Sequence, residues 1–190
     1  MIDLQEWQRK ALGDIAASMK QHLRVLVLAP TGSGKTVIGA ALVAEREERV
    51  LWLAHRRELI DQAREALLKA GVPAGDIGII SGGRRENENA RILVGSCQMH
   101  IRKDVPEVDL IVIDEAHRSA AKTYVDILAE HKGPVIGLTA TPRRLDGKPL
   151  SDAFDYLVVM ATIGELIELV ADNEVSKKKP LVEETGSFFF

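Results

Sequence analysis

Along this chain, short aliphatic runs alternate with longer stretches in which apolar residues recur every three or four positions. The runs are Arg24–Ala29, Val50–Ala54, Ile77–Ile80, Ile92–Gly95, Leu110–Ile113, Val135–Leu138 and Tyr156–Met160, each four to six residues long and rich in Val, Ile and Leu. Continuous short runs of this kind predict strands covered on both faces. Trp7, Ala11, Leu12, Ile15 and Met19 share one helical face, and Leu59, Ile60, Ala63, Ala66 and Leu67 share another that ends before Gly71. Tyr124, Val125, Leu128 and Ala129 make a third stripe. Thr162 and Glu165 have capping-box spacing ahead of Ile163, Leu166, Ile167 and Val170, which predicts a further helix. Regular alternation of strand and helix predicts an α/β fold, a doubly wound, mostly parallel sheet of about seven strands with helices on both faces and right-handed crossovers.

Two segments interrupt the pattern. Ser81–Asn89 is polar throughout and reads as a loop. Residues 1–172 read as one domain and 173–190 as a linker or tail; this tail carries Lys177, Lys178, Lys179 and Pro180 and ends in Phe188–Phe190. That aromatic cluster is open to three readings: docking in an apolar groove, a partner site, or the scar of a truncation.

Composition narrows the class. With 46% hydrophobic but only 4% aromatic residues in 190, the core must be aliphatic. The net charge of −3 gives no global basic field, so any nucleic-acid site has to be local. The single cysteine, Cys97, has no internal disulfide partner. No apolar run reaches the length of a membrane span, and MIDLQEWQRK lacks the apolar stretch of a secretory signal. These features predict a cytoplasmic domain without membrane association. His55 and His100 have no metal-ligand spacing with Cys97, which argues against a zinc site.

The chemistry is concentrated in two strings. Ala29–Thr36 reads APTGSGKT between an aliphatic run and an Ala/Val/Ile-rich helical stretch. Gly32 and Gly34 let backbone amides turn inward around phosphate oxygens, and the following helix adds the positive end of its dipole. The Lys35 ammonium would neutralise the β- and γ-phosphates and the Thr36 hydroxyl would ligate Mg²⁺. The whole stretch Thr31, Gly32, Ser33, Gly34, Lys35, Thr36 is thus a candidate ATP cradle. Asp109–His117 reads DLIVIDEAH, with Asp114 at the C-terminal end of a buried strand, where open α/β sheets bind ligands. Asp114 is the second candidate for Mg²⁺. Glu115 is placed to orient and deprotonate an attacking water. His117 reads either as a surface or capping histidine or as a link from the nucleotide site to later loops.

APTGSGKT, then DEAH, then Leu138–Pro142 (LTATP) resemble the first RecA-like domain of superfamily 2 helicases. The nearest likeness is to type III restriction enzyme res subunits and DNA repair helicases, over about residues 3–170. The resemblance implies a RecA-like P-loop ATP hydrolase with ATP and Mg²⁺ as cofactors and DNA as partner, RNA being the alternative. It implies that Gln8, in LQEWQ, reads the adenine edge, with Trp7 lining the base pocket or packing the first helix. Arg56, in AHRREL, would contact a backbone phosphate, and Ser96 and Gln98, in VGSCQ, would touch the strand. Thr139 and Thr141 would couple hydrolysis to domain movement together with His117. Arg143 and Arg144 would form a basic patch or simply be solvated.

The family also uses a second RecA-like domain that supplies an arginine finger. Only 48 residues follow Pro142, so that domain is expected to be absent and to act in trans or from a partner subunit. The isolated chain is then expected to hydrolyse ATP slowly and not to unwind. The competing reading is a non-enzymatic module that binds nucleotide, nucleic acid or a partner.

Overall fold

The computed structural model describes residues 2–81, 83–96, 106–118, 127–141, 150 and 153–160. Helix α1 (Glu6–Ser18) leads into β1 (Arg24–Leu28), followed by α2 (Lys35–Ala44), β2 (Val50–Ala54), α3 (Arg57–Lys69), β3 (Ile77–Ser81) and β4 (Arg84–Glu86). Strands β5 (Ile92–Ser96), β6 (Leu110–Asp114), β7 (Val135–Thr139) and β8 (Tyr156–Val159) follow. They form one sheet in the order β4-β3-β5-β2-β6-β7-β1-β8. Every pairing is parallel except β3 with β4.

The apolar runs are continuous because both faces of the sheet are covered. Val25, Val27, Val50, Trp52, Leu110 and Val112 join one core with Ile15, Ile38, Ile60 and Leu67 of α1, α2 and α3. Their neighbours Leu26, Leu51, Leu53, Ile111 and Ile113 point to the other face and pack with Ile127, Leu128, Leu150 and Phe154. The period-two alternation of strand side chains therefore sorts an unpatterned Val/Leu/Ile run into two cores.

Helix α2 lies close on the sheet because Gly39 has no side chain. A Cβ there would stand 2.8 Å from both the Trp52 ring and Leu138 Cδ1. Trp52 is wholly buried and has nowhere to retreat. Gly39→Val should therefore cost about 2–3 kcal/mol, read as a lowered urea midpoint without a changed slope.

The expected polar loop Ser81–Asn89 is corrected by the structure, which raises the strand count from about seven to eight. Ile79, Ile80 and Ser81 pair antiparallel with Glu86, Arg85 and Arg84, with Gly83 at φ +93° in the connection. The segment reads as a loop because an edge strand needs no apolar face and is protected by charge. Here Arg84 pairs with Glu86 and Arg85 with Glu88. The seven expected strands fall where predicted: four run one polar residue further, to Ser81, Ser96, Asp114 and Thr139, while β2 ends as expected and β1 and β8 stop one residue earlier, at Leu28 and Val159. Residues 127–130 are helical, which catches the end of the third stripe. Tyr124, Val125, the stretch from Thr162, and the tail with Phe188–Phe190 lie outside the described residues.

Candidate nucleotide site

The C-terminal edge of the sheet carries almost all the buried polarity. Among the described residues the buried polar or charged ones are Ser33, Lys35, Ser81, Ser96, Asp114 and Thr139. Ser33 and Lys35 belong to the loop after β1 and the start of α2, and the other four end β3, β5, β6 and β7. Burying polar groups is costly unless they are paired, so their concentration on one rim marks a place built for ligands.

The loop after β1 is held by its own backbone. The Ala29 amide donates to the Thr139 carbonyl at 2.9 Å, tying the loop to the end of β7. Pro30 then offers one carbonyl to three donors: the Ser33 amide at 3.2 Å, the Ser33 hydroxyl at 2.7 Å and the Lys35 ammonium at 3.3 Å. Gly32 and Gly34 sit at φ +83° and +81°, conformations that side-chain-bearing residues rarely adopt. Gly34 is the N-cap of α2 and supplies no side-chain hydrogen bond, so the first-turn amides of this helix have no side-chain cap. Thr31 is exposed at the tip.

Across the rim, the Thr36 hydroxyl lies 3.4 Å from Asp114 Oδ2, joining the α2 start to the β6 end. Asp114 is buried, and burial with the neighbouring Glu115 charge pushes its carboxyl up from 3.8 to about 6. The Glu115 amide, the Thr36 hydroxyl and the Lys35 charge pull the other way. A buried carboxylate with an incomplete set of cationic partners, facing a threonine hydroxyl, fits a divalent cation in its donor chemistry.

Glu115 turns away from the strand at φ +54°, held by its amide to Asp114 Oδ1 at 3.0 Å. Such a backbone conformation in a non-glycine residue is strained and recurs at functional positions. Its carboxylate meets His117 Nδ1 at 3.1 Å, and the same nitrogen lies 3.2 Å from Thr139 Oγ1. The Thr139 hydroxyl donates to the Thr141 carbonyl at 2.8 Å, which leaves it an acceptor toward the histidine. His117 therefore carries its proton on Nδ1, where it can serve both Glu115 and Thr139. The four residues form a continuous polar chain from the β6 end to the β7 end.

Gln8 arrives at the same loop from α1. Its Nε2 donates to the Ser33 carbonyl at 3.2 Å while its Oε1 accepts the Gln5 amide at 2.9 Å. Trp7 packs against the core that α1 shares with the sheet. Arg56 is exposed as the N-cap of α3, and Ser96 is buried at the end of β5. Strands β2 and β5 are neighbours, so these two candidates share a stretch of rim adjoining β6. Gln98, Cys97, His100, Pro142, Arg143 and Arg144 lie outside the described residues. The Pro30 carbonyl and the Gln8–Ser33 link have no sequence signal, because the acceptor in each case is backbone.

Among the described residues, no helix is long and apolar enough to cross a membrane. The family described as "Type III restriction enzyme, res subunit" matches residues 1–144. A putative ATP-dependent helicase of Saccharomyces cerevisiae, IRC3, is 36% identical over 188 residues, covering 87% of this chain and 27% of that protein. A 51.5 kDa protein of a Lactococcus phage is 35% identical over 146 residues, covering 75% of this chain and 29% of its own length. A DNA 3'-5' translocase of Sulfurisphaera tokodaii, XPB2, is 28% identical over 180 residues, 94% of this chain and 39% of that one. The chain thus spans well under half the length of these relatives. The UvsW helicase of bacteriophage T4 superposes with a TM-score of 0.69 over 83% of this chain and 60% of that one; its 20% identity speaks to the fold alone. The helicase domain of Pyrococcus furiosus Hef superposes with a TM-score of 0.63 at 27% identity, over 78% of this chain and 37% of that one. The eight-stranded, mostly parallel sheet, with its loop–helix junction after β1, and the match over residues 1–144 lead to one conclusion: this chain belongs to the type III restriction enzyme res-subunit family and is a RecA-like helicase ATP-binding domain of superfamily 2.

Proposed function

We propose that this chain is the ATP-binding motor domain of a DNA-dependent ATPase, a helicase or translocase that hydrolyses ATP with Mg²⁺ once a second RecA-like domain completes the site. The observation that carries this reading is the convergence of a buried ammonium, Lys35, and a Thr36–Asp114 pair at the uncapped start of α2. Thr36 and Asp114 would hold the cation, which supplies charge neutralisation to the phosphates when bound. Thr31, Gly32, Ser33 and Gly34 would wrap the phosphates with backbone amides, and Lys35 would exchange the neutral Pro30 carbonyl for phosphate oxygen. Gln8, braced on Ser33, would carry adenine occupancy to the loop.

Glu115 would take the proton of the attacking water. For that its carboxylate must leave His117, and Thr139 and Thr141, at the far end of the same chain, would register the change. Arg56, Ser96 and Gln98 would grip the nucleic acid. The names of the relatives, an ATP-dependent helicase and a DNA translocase, support DNA as the partner.

The test is ATP hydrolysis by the chain with Mg²⁺, with and without single- and double-stranded DNA and RNA, using Glu115→Gln to subtract contaminating turnover. For the chain alone, slow turnover that one nucleic acid raises and the variant loses is the expected result. ATP binding without turnover in any condition would leave either half of a motor that needs its second domain or a nucleotide-binding module, a reading for which the Glu115 carboxylate held by His117 speaks. No ATP binding at all would sink both.

A further inference from the structure

Five of the six buried polar residues on the rim have a place in the reading above, and Ser81 does not. It lines a cavity of about 430 Å³ together with Arg57, Ile60, Asp61, Gly83 and Arg84. This cavity lies between the first turns of α3 and the β3–β4 hairpin. Strand β3 pairs with β5, and Arg57 follows Arg56 directly, so the cavity continues the stretch of rim that carries Arg56 and Ser96.

The wall of this cavity is a neutralised cation. Arg84 Nη1 lies 2.9 Å from Asp61 Oδ1, and Arg84 Nε lies 2.7 Å from Glu86 Oε1. All three side chains are about half exposed, at 45%, 58% and 51%. Ion pairs in that environment are weak and exchange readily. A phosphodiester offers the same guanidinium a bidentate acceptor, and a strand presents it as part of a polyanion whose condensed counterions are released on binding. Arg57, exposed on the α3 side, faces the same space.

We propose that this cavity is an exchange site for a nucleic-acid backbone phosphate, in which Arg84 leaves Asp61 and Glu86 to bind the phosphate, with its strand neighbour Ser81 beside it and Arg57 across the cavity on α3. The proposal rests on the nucleic-acid reading above and extends the strand's track from Arg56 to the hairpin. The two carboxylates act as built-in competitors, so they set the affinity. They also reject anions too weak to displace them.

The test is fluorescence anisotropy of labelled single-stranded DNA and RNA of the same length and sequence, titrated with the whole chain at several salt concentrations. Arg84→Ala should weaken binding roughly 2- to 10-fold and flatten the salt dependence by about 0.7 in the log–log slope. Glu86→Gln and Asp61→Asn should each tighten binding roughly 2- to 5-fold, because each frees Arg84 from one competitor. Glu88→Gln makes the same change of net charge on the same hairpin, against Arg85, and should tighten it less. In an Arg84→Ala background, the gain from Glu86→Gln should fall to that of Glu88→Gln. Whichever probe shows this pattern names the strand as DNA or RNA.

A guanidinium that only pins the hairpin to α3 predicts the reverse: Glu86→Gln and Asp61→Asn would loosen the hairpin and weaken binding or leave it unchanged. That result would overturn the exchange site while the functional reading stands. So would an unchanged Arg84→Ala beside a weakened Arg56→Ala. If the parent chain binds neither probe, the proposal and the nucleic-acid reading fall together.

Discussion

Lys35→Ala should abolish nucleotide-dependent behaviour while leaving the fold intact. Lys35 is 7% exposed, opens α2, and has a neutral carbonyl, that of Pro30, as its hydrogen-bond partner at 3.3 Å. A buried ammonium whose hydrogen-bond partner is a neutral carbonyl is placed to gain from a phosphate oxygen. Its removal should lower turnover by about 10²- to 10³-fold, the usual effect of deleting one preorganised charge-stabilising donor. The cost to folding should be small, since the variant removes a buried, incompletely paired cation and puts the best helix former at the first helical position. Calorimetric titration with ATP·Mg and a urea melt on the same sample separate the two effects. A variant that still binds nucleotide with parental affinity would show that the P-loop reading of APTGSGKT is wrong here.

That reading was available from the sequence because its parts are contiguous. The order of Gly32, Gly34, Lys35 and Thr36 alone suggests their candidate roles, and Asp114–His117 follow an apolar run that predicts a buried strand. The strands were legible for the same reason, being unbroken Val/Leu/Ile runs. What the sequence hid was whatever depended on backbone. Ser81, Ser96, Asp114 and Thr139 fall just past four of the apolar runs; motif order singles out Ser96, Asp114 and Thr139, whereas Ser81 opens a polar stretch with no signal of its own. Strand β4 escaped because it is held by backbone pairing with β3 and its residues Arg84, Arg85 and Glu86 are all exposed, so it looks in sequence like a solvated loop. The Pro30 carbonyl as triple acceptor, and the brace from Gln8 to the Ser33 carbonyl, could not have been read at all.

Asp114→Asn should make the ligand-free protein more stable and, at the same time, unable to bind nucleotide in a metal-dependent way. Burial, aided by Glu115, raises the Asp114 carboxyl from 3.8 to about 6. Below pH 4 the group is protonated whether folded or unfolded and contributes nothing. Between pH 4 and 6 the folded state holds the extra proton, so stability falls as pH rises through this window. Above pH 6 the ionised carboxylate costs the fold its full amount, about 3 kcal/mol for a displacement of this size. Asparagine keeps the geometry: its oxygen can accept the Glu115 amide and its amide can donate to the Thr36 hydroxyl. The variant should therefore unfold at higher urea than the parent at pH 7.5 and at the same urea near pH 4. The stability that the parent forgoes at neutral pH is what a bound cation would return, so Mg²⁺ with ATP should raise the parent's midpoint at pH 7.5 and leave the variant's unmoved. Equal urea midpoints for the two proteins at pH 7.5 would mean that the Asp114 carboxylate is already compensated within the chain, and that the rim does not carry the uncompensated negative charge a metal site requires.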